Sequence, residues 1–395
     1  MNNRTLPNVK DIKEMISARA KMIKPSNTMA INQLAKELKA QGEKIINLSV
    51  GEPDFPTPDF IAQAGISAIQ EGFTRYTEAS GTLNLRKAIC EKFARDNNLS
   101  YNPSQIVVSS GAKHSLFNIF LALCDPGDEV IIPAPYWISY PEMVSLASGV
   151  PIISPFGTDY KILPDQLKRL ITPRTKLFLL NSPSNPSGIV YTKKELEDLA
   201  SILLENNILT ISDEVYEYFV YGESTHLSIA SLSSEMQDHT VVVNAVSKSY
   251  SMTGWRIGYM AAPQPIASAI ASIQSQTTSN PVSISQKAAE IAILSGYSSI
   301  APMVEEFAMR RDYLISNLDS RIRYVRPDGA FYLLLSIGNF TSADLSKKLL
   351  DEEKLATVPA QDFGIEHFVR ISFAISFELL KEAIDRLNQF AGRYG

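Results

Sequence analysis

Four loops of this 395-residue chain carry side chains suited to holding an anion, a flat ring and an amine close together. Each follows a short, almost wholly apolar run. Ser110-Gly111-Ala112-Lys113 follows residues 105–109, and Asn181-Ser182-Pro183-Ser184-Asn185-Pro186 follows 176–180. Asp213-Glu214-Val215-Tyr216 follows 208–212, and Asn244-Ala245-Val246-Ser247-Lys248 follows 241–243. Lys248 lies amid small and aromatic residues between two apolar runs. A lysine stripped of water near other cations sheds its proton more easily and becomes an amine nucleophile. Asp213 reads either as a helix N-cap or as a buried acid that keeps a partner cation protonated, because an unpaired buried carboxylate is costly. Gly111-Ala112-Lys113 opens a helix whose free amides can hold a phosphate or merely make a tight turn. Arg256 can pair with a phosphate or with a protein carboxylate. Arg370 sits in the apolar stretch 368–372 and needs a carboxylate partner, from the protein or from a substrate. Asn185 by itself fits turn chemistry, and Trp137 fits core packing.

The elements that must position these residues alternate in type. Apolar runs at 105–109, 129–132, 176–180, 208–212, 241–243 and 257–261 read as strands covered on both faces. Helical patterns lie between most of them, near 113–123, 136–147 and 192–206. Thr192 followed by Glu195 forms a capping box at the third. This alternation predicts a mainly parallel sheet with helices on both sides, where ligands sit beyond the carboxyl ends of the strands. After residue 264 two long helical stretches, 264–295 and 300–318, lead to short strands at 321–325, 330–335 and 368–373 and a closing helix. That grouping predicts a smaller α+β domain, with a helix from 29 to 40 packing against it. The expected division is 1–45 with the small domain, 46–295 as the large domain and 296–395 as the small one.

Composition excludes several classes. The formal net charge of −5 argues against nucleic-acid binding through bulk charge. Cys90 and Cys124 cannot build a disulfide framework, and the spacing of the four His residues predicts no metal site. No run approaches the length of a membrane span, and no secretory signal opens the chain, so a cytoplasmic location is expected. Position 106 is Ile where a P-loop needs Gly, and no dinucleotide glycine fingerprint follows any strand.

Read jointly, these residues resemble a known set. Lys24-Pro-Ser, Ser49-Val-Gly-Glu-Pro-Asp-Phe, Arg75-Tyr-Thr-Glu-Ala-Ser-Gly, Pro135-Tyr-Trp-Ile-Ser-Tyr, Asn181-Ser-Pro-Ser-Asn-Pro-Ser-Gly, Ser212-Asp-Glu-Val-Tyr, Ser247-Lys, Met252-Thr-Gly-Trp-Arg, Gly329-Ala-Phe-Tyr and Val369-Arg-Ile-Ser occur in order along the chain. The chain resembles the class I aminotransferases, pyridoxal 5′-phosphate enzymes of fold type I. It is most similar to the bacterial aspartate aminotransferases, some of which accept prephenate. The resemblance implies a large domain with a seven-stranded, mainly parallel sheet and a small α+β domain built from the N- and C-terminal segments. It implies that Lys248 carries the cofactor as a Schiff base and shuttles the substrate proton. By the same resemblance Asp213 pairs with the ring nitrogen, Tyr216 and Asn185 bond the ring oxygen, and Trp137 stacks on the ring.

Gly111, Ala112, Lys113, Ser247 and Arg256 are implied at the phosphate end, with Tyr76 reaching the phosphate of a neighbouring subunit in a homodimer. Arg370, Asn185 and Gly51 are implied to bind the substrate α-carboxylate, and Trp137 to flank it. Two departures stand out: Ala245 replaces a serine that many relatives use as a phosphate ligand, and residues 279–283 hold no Arg for the distal carboxylate. In the bacterial subgroup a lysine at the place of Lys113 supplies that charge, and Lys24 is placed for prephenate. The expectation is an aspartate:2-oxoglutarate transaminase, with prephenate or aromatic amino acids as alternative substrates. A lyase on the same fold and a sensor domain of a DNA-binding regulator are the rivals, and no part of the chain is left over for a DNA-binding module.

Overall fold

A computed structural model of the chain describes residues 12–23 and 27–395. Lys24, expected at the substrate, lies outside the described residues. Seven strands form the central sheet: β1 (Ile106–Ser109), β2 (Glu129–Pro133), β3 (Val150–Ser154), β4 (Thr175–Asn181), β5 (Leu209–Asp213), β6 (Thr240–Ala245) and β7 (Gly258–Ala261). Their order is β1-β7-β6-β5-β4-β2-β3. All neighbours are parallel except β7, which runs antiparallel to β1 and to β6. β1, β6 and β7 are buried along their whole length and β5 after its first residue, as a sheet covered on both faces requires. The register sets Asn181 beside Asp213, so the polar residues that end β4 and β5 emerge together at one edge.

Two of the departures from the sequence reading trace to a proline. β3 is a half-exposed edge strand whose Pro151 hides the strand pattern, and a proline is tolerated where one side of a strand makes no ladder. The helical stretch 264–295 is two helices, Gln264–Thr277 and Ser283–Ser295. Asn280-Pro281 separates them, because the residue before a proline avoids the helical region. The helix Lys193–Glu205 starts on the expected box, with Thr192 and Glu195 capping one another.

A second sheet follows: β8 (Arg323–Val325), β9 (Tyr332–Ser336), β10 (Val358–Pro359) and β11 (Val369–Ser372), antiparallel in the order β10-β11-β9-β8. The helix Asn27–Ala40 packs Ala35, Ile31 and Leu38 against Ala356 and Leu350. Just after it, Ile46–Asn47 pairs in parallel with Leu355–Ala356. The chain then passes β11, where Ser372 N–H donates to Leu48 O at 2.8 Å, and enters the central sheet's polar edge at Gly51.

Behind that edge lies a buried charge network. Lys92, 1% exposed, places Nζ 2.5 Å from Glu217 Oε1 and 2.6 Å from Asn97 Oδ1. Asn97 Nδ2 and Asn244 Nδ2 donate to the two Glu217 oxygens at 2.8 and 2.7 Å. The network ties the turn after β5 to the last residues of β6. Removing one member of a buried ion pair strands the other charge. Lys92→Met is therefore expected to lower stability by about 3–5 kcal/mol in urea unfolding, with partial recovery in Lys92→Met/Glu217→Gln. A loss under roughly 1 kcal/mol, the range of an exposed pair, would show that the pair is not dry.

Candidate active site

Lys248 sits on the four-residue helix Val246–Ser249, which starts where β6 ends. Its Nζ donates to Gly51 O at 2.6 Å. Burial, then the Arg256 and Arg370 guanidinium groups, push its pKa down to about 8, against the pull of Glu52 and Asp213. Roughly a tenth of the amine is therefore neutral at pH 7, against well under a thousandth at the ordinary value.

Asp213 closes β5 and is 5% exposed. Tyr140 Oη donates to its Oδ2 at 2.7 Å, and Val215 N–H to its Oδ1 at 3.3 Å. Burial outweighs these donors and raises the carboxyl to about 6. It is a buried acid and not a helix cap. Two residues given no role by the sequence reading help to hold it. Tyr140 lies on the buried face of the helix Ser139–Leu146, edge-on to Trp137 with ring centroids 5.3 Å apart. Asn181 donates from Nδ2 to Asp213 O at 2.9 Å, and its Oδ1 accepts the Asn185 N–H at 2.9 Å. Tyr140 ends an aromatic cluster in the Pro135–Tyr140 motif, and that clustering was its only sequence signal.

The cations come from opposite sides. Arg370, on β11, is 2% exposed. Its Nη1 donates to Asn185 Oδ1 at 3.0 Å and its Nη2 to Ser49 O at 2.8 Å, while Nε is buried without a partner. The guanidinium lies 4.5 Å from the Tyr332 ring centroid and 5.1 Å from that of Phe363. Among the described residues no carboxylate pairs with it, so its open donor suits a carboxylate brought from outside. Lys113, in the first turn of the helix Ala112–Leu123, holds Nζ 4.7 Å over the Trp137 ring. Lys113 is exposed as a residue, but partial desolvation of its ammonium, then the Arg256 charge, lower its pKa, and among the described residues it too has no acidic partner.

Arg256 donates to Thr253 O at 2.9 Å and Ser110 O at 3.2 Å. Gly111, at φ 93°, lets it approach, since a Cβ there would lie 2.3 Å from Arg256 Nη2. The Ala112 and Lys113 amides open their helix and have no acceptor within it. Ser247 and Ala245 are both buried beside Lys248. Tyr216 Oη lies 2.8 Å from Tyr332 Oη. Tyr76 stands apart, 90% exposed on a loop.

The donor set fits pyridoxal 5′-phosphate. A buried amine of lowered pKa suits an aldehyde, a buried acid suits a ring nitrogen, and free helix amides beside an exposed guanidinium suit a phosphate. Glu214, Glu217 and His226 also lie together, but protein donors engage their carboxylates: Ser212, Ser228 and His226 on Glu214, and Lys92, Asn97 and Asn244 on Glu217.

Asp213 also predicts a stability signature. Its folded pKa of about 6 exceeds the ordinary 3.8, so the folded state binds more protons between those values and loses stability as pH rises through them. Asp213→Asn in the cofactor-free protein should therefore gain stability relative to the parent by about 2–3 kcal/mol between pH 4 and pH 7 in urea unfolding, the hydrogen bond that an amide cannot accept costing the same at both. A stability difference that does not change between pH 4 and pH 7 would place the carboxyl in water.

The comparisons with known proteins agree with this chemistry. Residues 43–387 match the family described as aminotransferase class I and II. The chain is 46% identical over 390 residues to an aspartate aminotransferase of Bacillus sp. (strain YM-2), covering 96% of this chain and 100% of that one. It is 45% identical over 390 residues to the aspartate/prephenate aminotransferase of Nitrosomonas europaea, covering 94% and 98%. The solved structure of the aspartate aminotransferase from Thermus thermophilus with maleate superimposes with a TM-score of 0.91 at 40% identity, covering 95% of this chain and 99% of that one. With a buried lysine, acid and arginine gathered at the edge of a mainly parallel seven-stranded sheet, the chain belongs to the class I and II aminotransferases, as a fold type I transaminase dependent on pyridoxal 5′-phosphate.

Proposed function

We propose that the enzyme moves the amino group of L-aspartate to 2-oxoglutarate by a ping-pong route, giving oxaloacetate and L-glutamate. The observation that carries this reading is a pair of cations that have no acidic partner among the described residues, Arg370 and Lys113, at a site built around one amine. A dicarboxylate needs two positive charges, and a monocarboxylate needs one. Relatives named for aspartate, some at 42–46% identity, support the same substrate.

In this reading the cofactor, when bound, supplies an electron sink for the carbanion left at the substrate Cα. Arg370, with Asn185 and the backbone at Gly51, clamps the α-carboxylate and so fixes which Cα bond faces the lysine. Lys248, lowered in pKa, takes the Cα proton and returns it. Asp213, oriented by Tyr140 and Asn181, faces the ring nitrogen and favours its protonated form. Tyr216 and Asn185 address the ring oxygen, and Trp137 covers the ring face. The free amides of Ala112 and Lys113, beyond the Gly111 turn whose own N–H donates to Ser109 O at 2.7 Å, together with Ser247 and Arg256, would receive the phosphate, and the Lys113 ammonium would also meet the distal carboxylate. Tyr76 would serve a partner subunit's site in a homodimer. The exposed Ile66 and Ile69 on one side of Asp59–Gln70, and Ile291 and Leu294 on Ser283–Ser295, the helix packed against it, offer apolar surface for that partner. No helix among the described residues is long and apolar enough to cross a membrane, and Cys90 and Cys124 are free thiols, in keeping with a cytoplasmic enzyme. A second reading, prephenate as an added substrate, is favoured by the relative of that name.

Purified protein loaded with pyridoxal 5′-phosphate should lose its visible absorbance on addition of L-aspartate and regain it with 2-oxoglutarate. Lys113→Ala should lower kcat/KM for aspartate by roughly 10- to 100-fold, the worth of a charge-assisted hydrogen bond, while leaving alanine nearly unchanged. Equal losses for both amino acids would remove Lys113 from the distal carboxylate.

A further inference from the structure

Tyr332 has no part in the roles above, yet it touches three of the groups that fill them. It opens β9, next to the strand that carries Arg370, and is 1% exposed. Its hydroxyl lies 2.8 Å from that of Tyr216. Its ring lies 4.5 Å from the Arg370 guanidinium. A Cβ on residue 51 would fall 2.6 Å from its hydroxyl, so the backbone that accepts from Lys248 runs directly against it. The turn that leads into β9 is held by backbone hydrogen bonds. Tyr221 N–H donates to Asp328 O at 2.9 Å, Gly329 N–H to Gly188 O at 2.7 Å and Ala330 N–H to Phe219 O at 2.9 Å.

We infer that Tyr332 is a positioning residue that sets the donor strength of the Tyr216 hydroxyl while bracing the Arg370 guanidinium, coupling the ring end of the site to its carboxylate end. The inference rests on the roles proposed for Tyr216 and Arg370. Two hydroxyls at this separation share one hydrogen bond, in which one donates and the other accepts. Once Tyr216 gives its proton to a ring oxygen, its own oxygen can accept from Tyr332. A donor behind strengthens the donor in front. Burial raises the pKa of both phenols, so both remain neutral hydroxyls able to form such a chain. On the other face the aromatic ring offers Arg370 a surface that attracts the cation and holds the planar fork in place without competing for its N–H donors.

Tyr332→Phe keeps the ring and deletes only the hydroxyl; Tyr332→Leu deletes both. In the cofactor-free protein, a double-mutant cycle of Tyr332→Phe and Tyr216→Phe, read by urea unfolding, should show a coupling of roughly two- to tenfold in the unfolding equilibrium. In the protein loaded with pyridoxal 5′-phosphate, the pH midpoint of the visible absorbance should move upward by about 0.3–1 unit in Tyr332→Phe, because a weaker donor stabilises a charged ring oxygen less well. Affinity for maleate, a dicarboxylate probe, should stay within about twofold in Tyr332→Phe and fall by about tenfold in Tyr332→Leu. No coupling in the cycle, or an unmoved midpoint in Tyr332→Phe, would overturn the inference. A parent protein that forms no visible chromophore at all would count against the cofactor chemistry, and the cycle would then decide Tyr332 alone.

Discussion

Three ionisable groups, the Lys248 amine, the Asp213 carboxyl and the Arg370 guanidinium, are buried within one site, and water that would ordinarily solvate them is excluded. That exclusion is the constraint on which the rest of the structure depends. It shifts the amine down and the acid up, toward values useful near neutral pH, and it leaves the guanidinium with a donor to offer. None of the three could persist on its own in an apolar interior. Each is held by polar groups that partly meet its demand: Gly51 O for the amine, Tyr140 and a backbone N–H for the acid, Asn185 and Ser49 O for the guanidinium.

The parallel sheet makes this arrangement reachable. Strand ends β1, β4, β5 and β6 finish at one edge, so four loops far apart in the chain deliver their side chains into one volume. The segment 46–51 performs the complementary task. It pairs with Leu355–Ala356, accepts from β11 and from Arg370, and ends on the carbonyl that receives Lys248. The buried arginine of one sheet and the amine at the edge of the other are therefore registered through a few residues of extended backbone. The Tyr216–Tyr332 contact is a second link between the same two sheets, and the Lys92–Glu217 network fixes the turn after β5 from behind.

Much of this was legible in the residues. The apolar runs located six of the seven central strands, because a strand covered on both faces needs no alternation and stands out from its flanks. β3 escaped because it is an edge strand with a proline and one wet face. The division of the stretch 264–295 at Asn280-Pro281 was available from the proline rule, but the helical pattern on both sides masked it. Lys248, Asp213, Arg370 and the loop at Gly111 were visible as polar residues where apolar runs stop. Tyr140, Asn181 and Tyr332 were not, since an aromatic or an amide beside a motif carries no mark of what its hydroxyl or amide will meet.

What the residues determined by themselves was a local matter: which segments are strands, where each stops, and that a charged group stands just past an apolar run. Those facts follow from periodicity and from the cost of burying charge, both of which act over a few residues. Tertiary structure alone settled the ambiguous partners. Arg370 finds no protein carboxylate among the described residues, Asp213 accepts from Tyr140 and does not cap a helix, and Lys113 rests over Trp137 without an acid. Such outcomes depend on which distant segments share one volume. A hydrogen bond between residues 185 and 370, or 51 and 248, is decided by the packing of whole sheets, which no window of sequence contains.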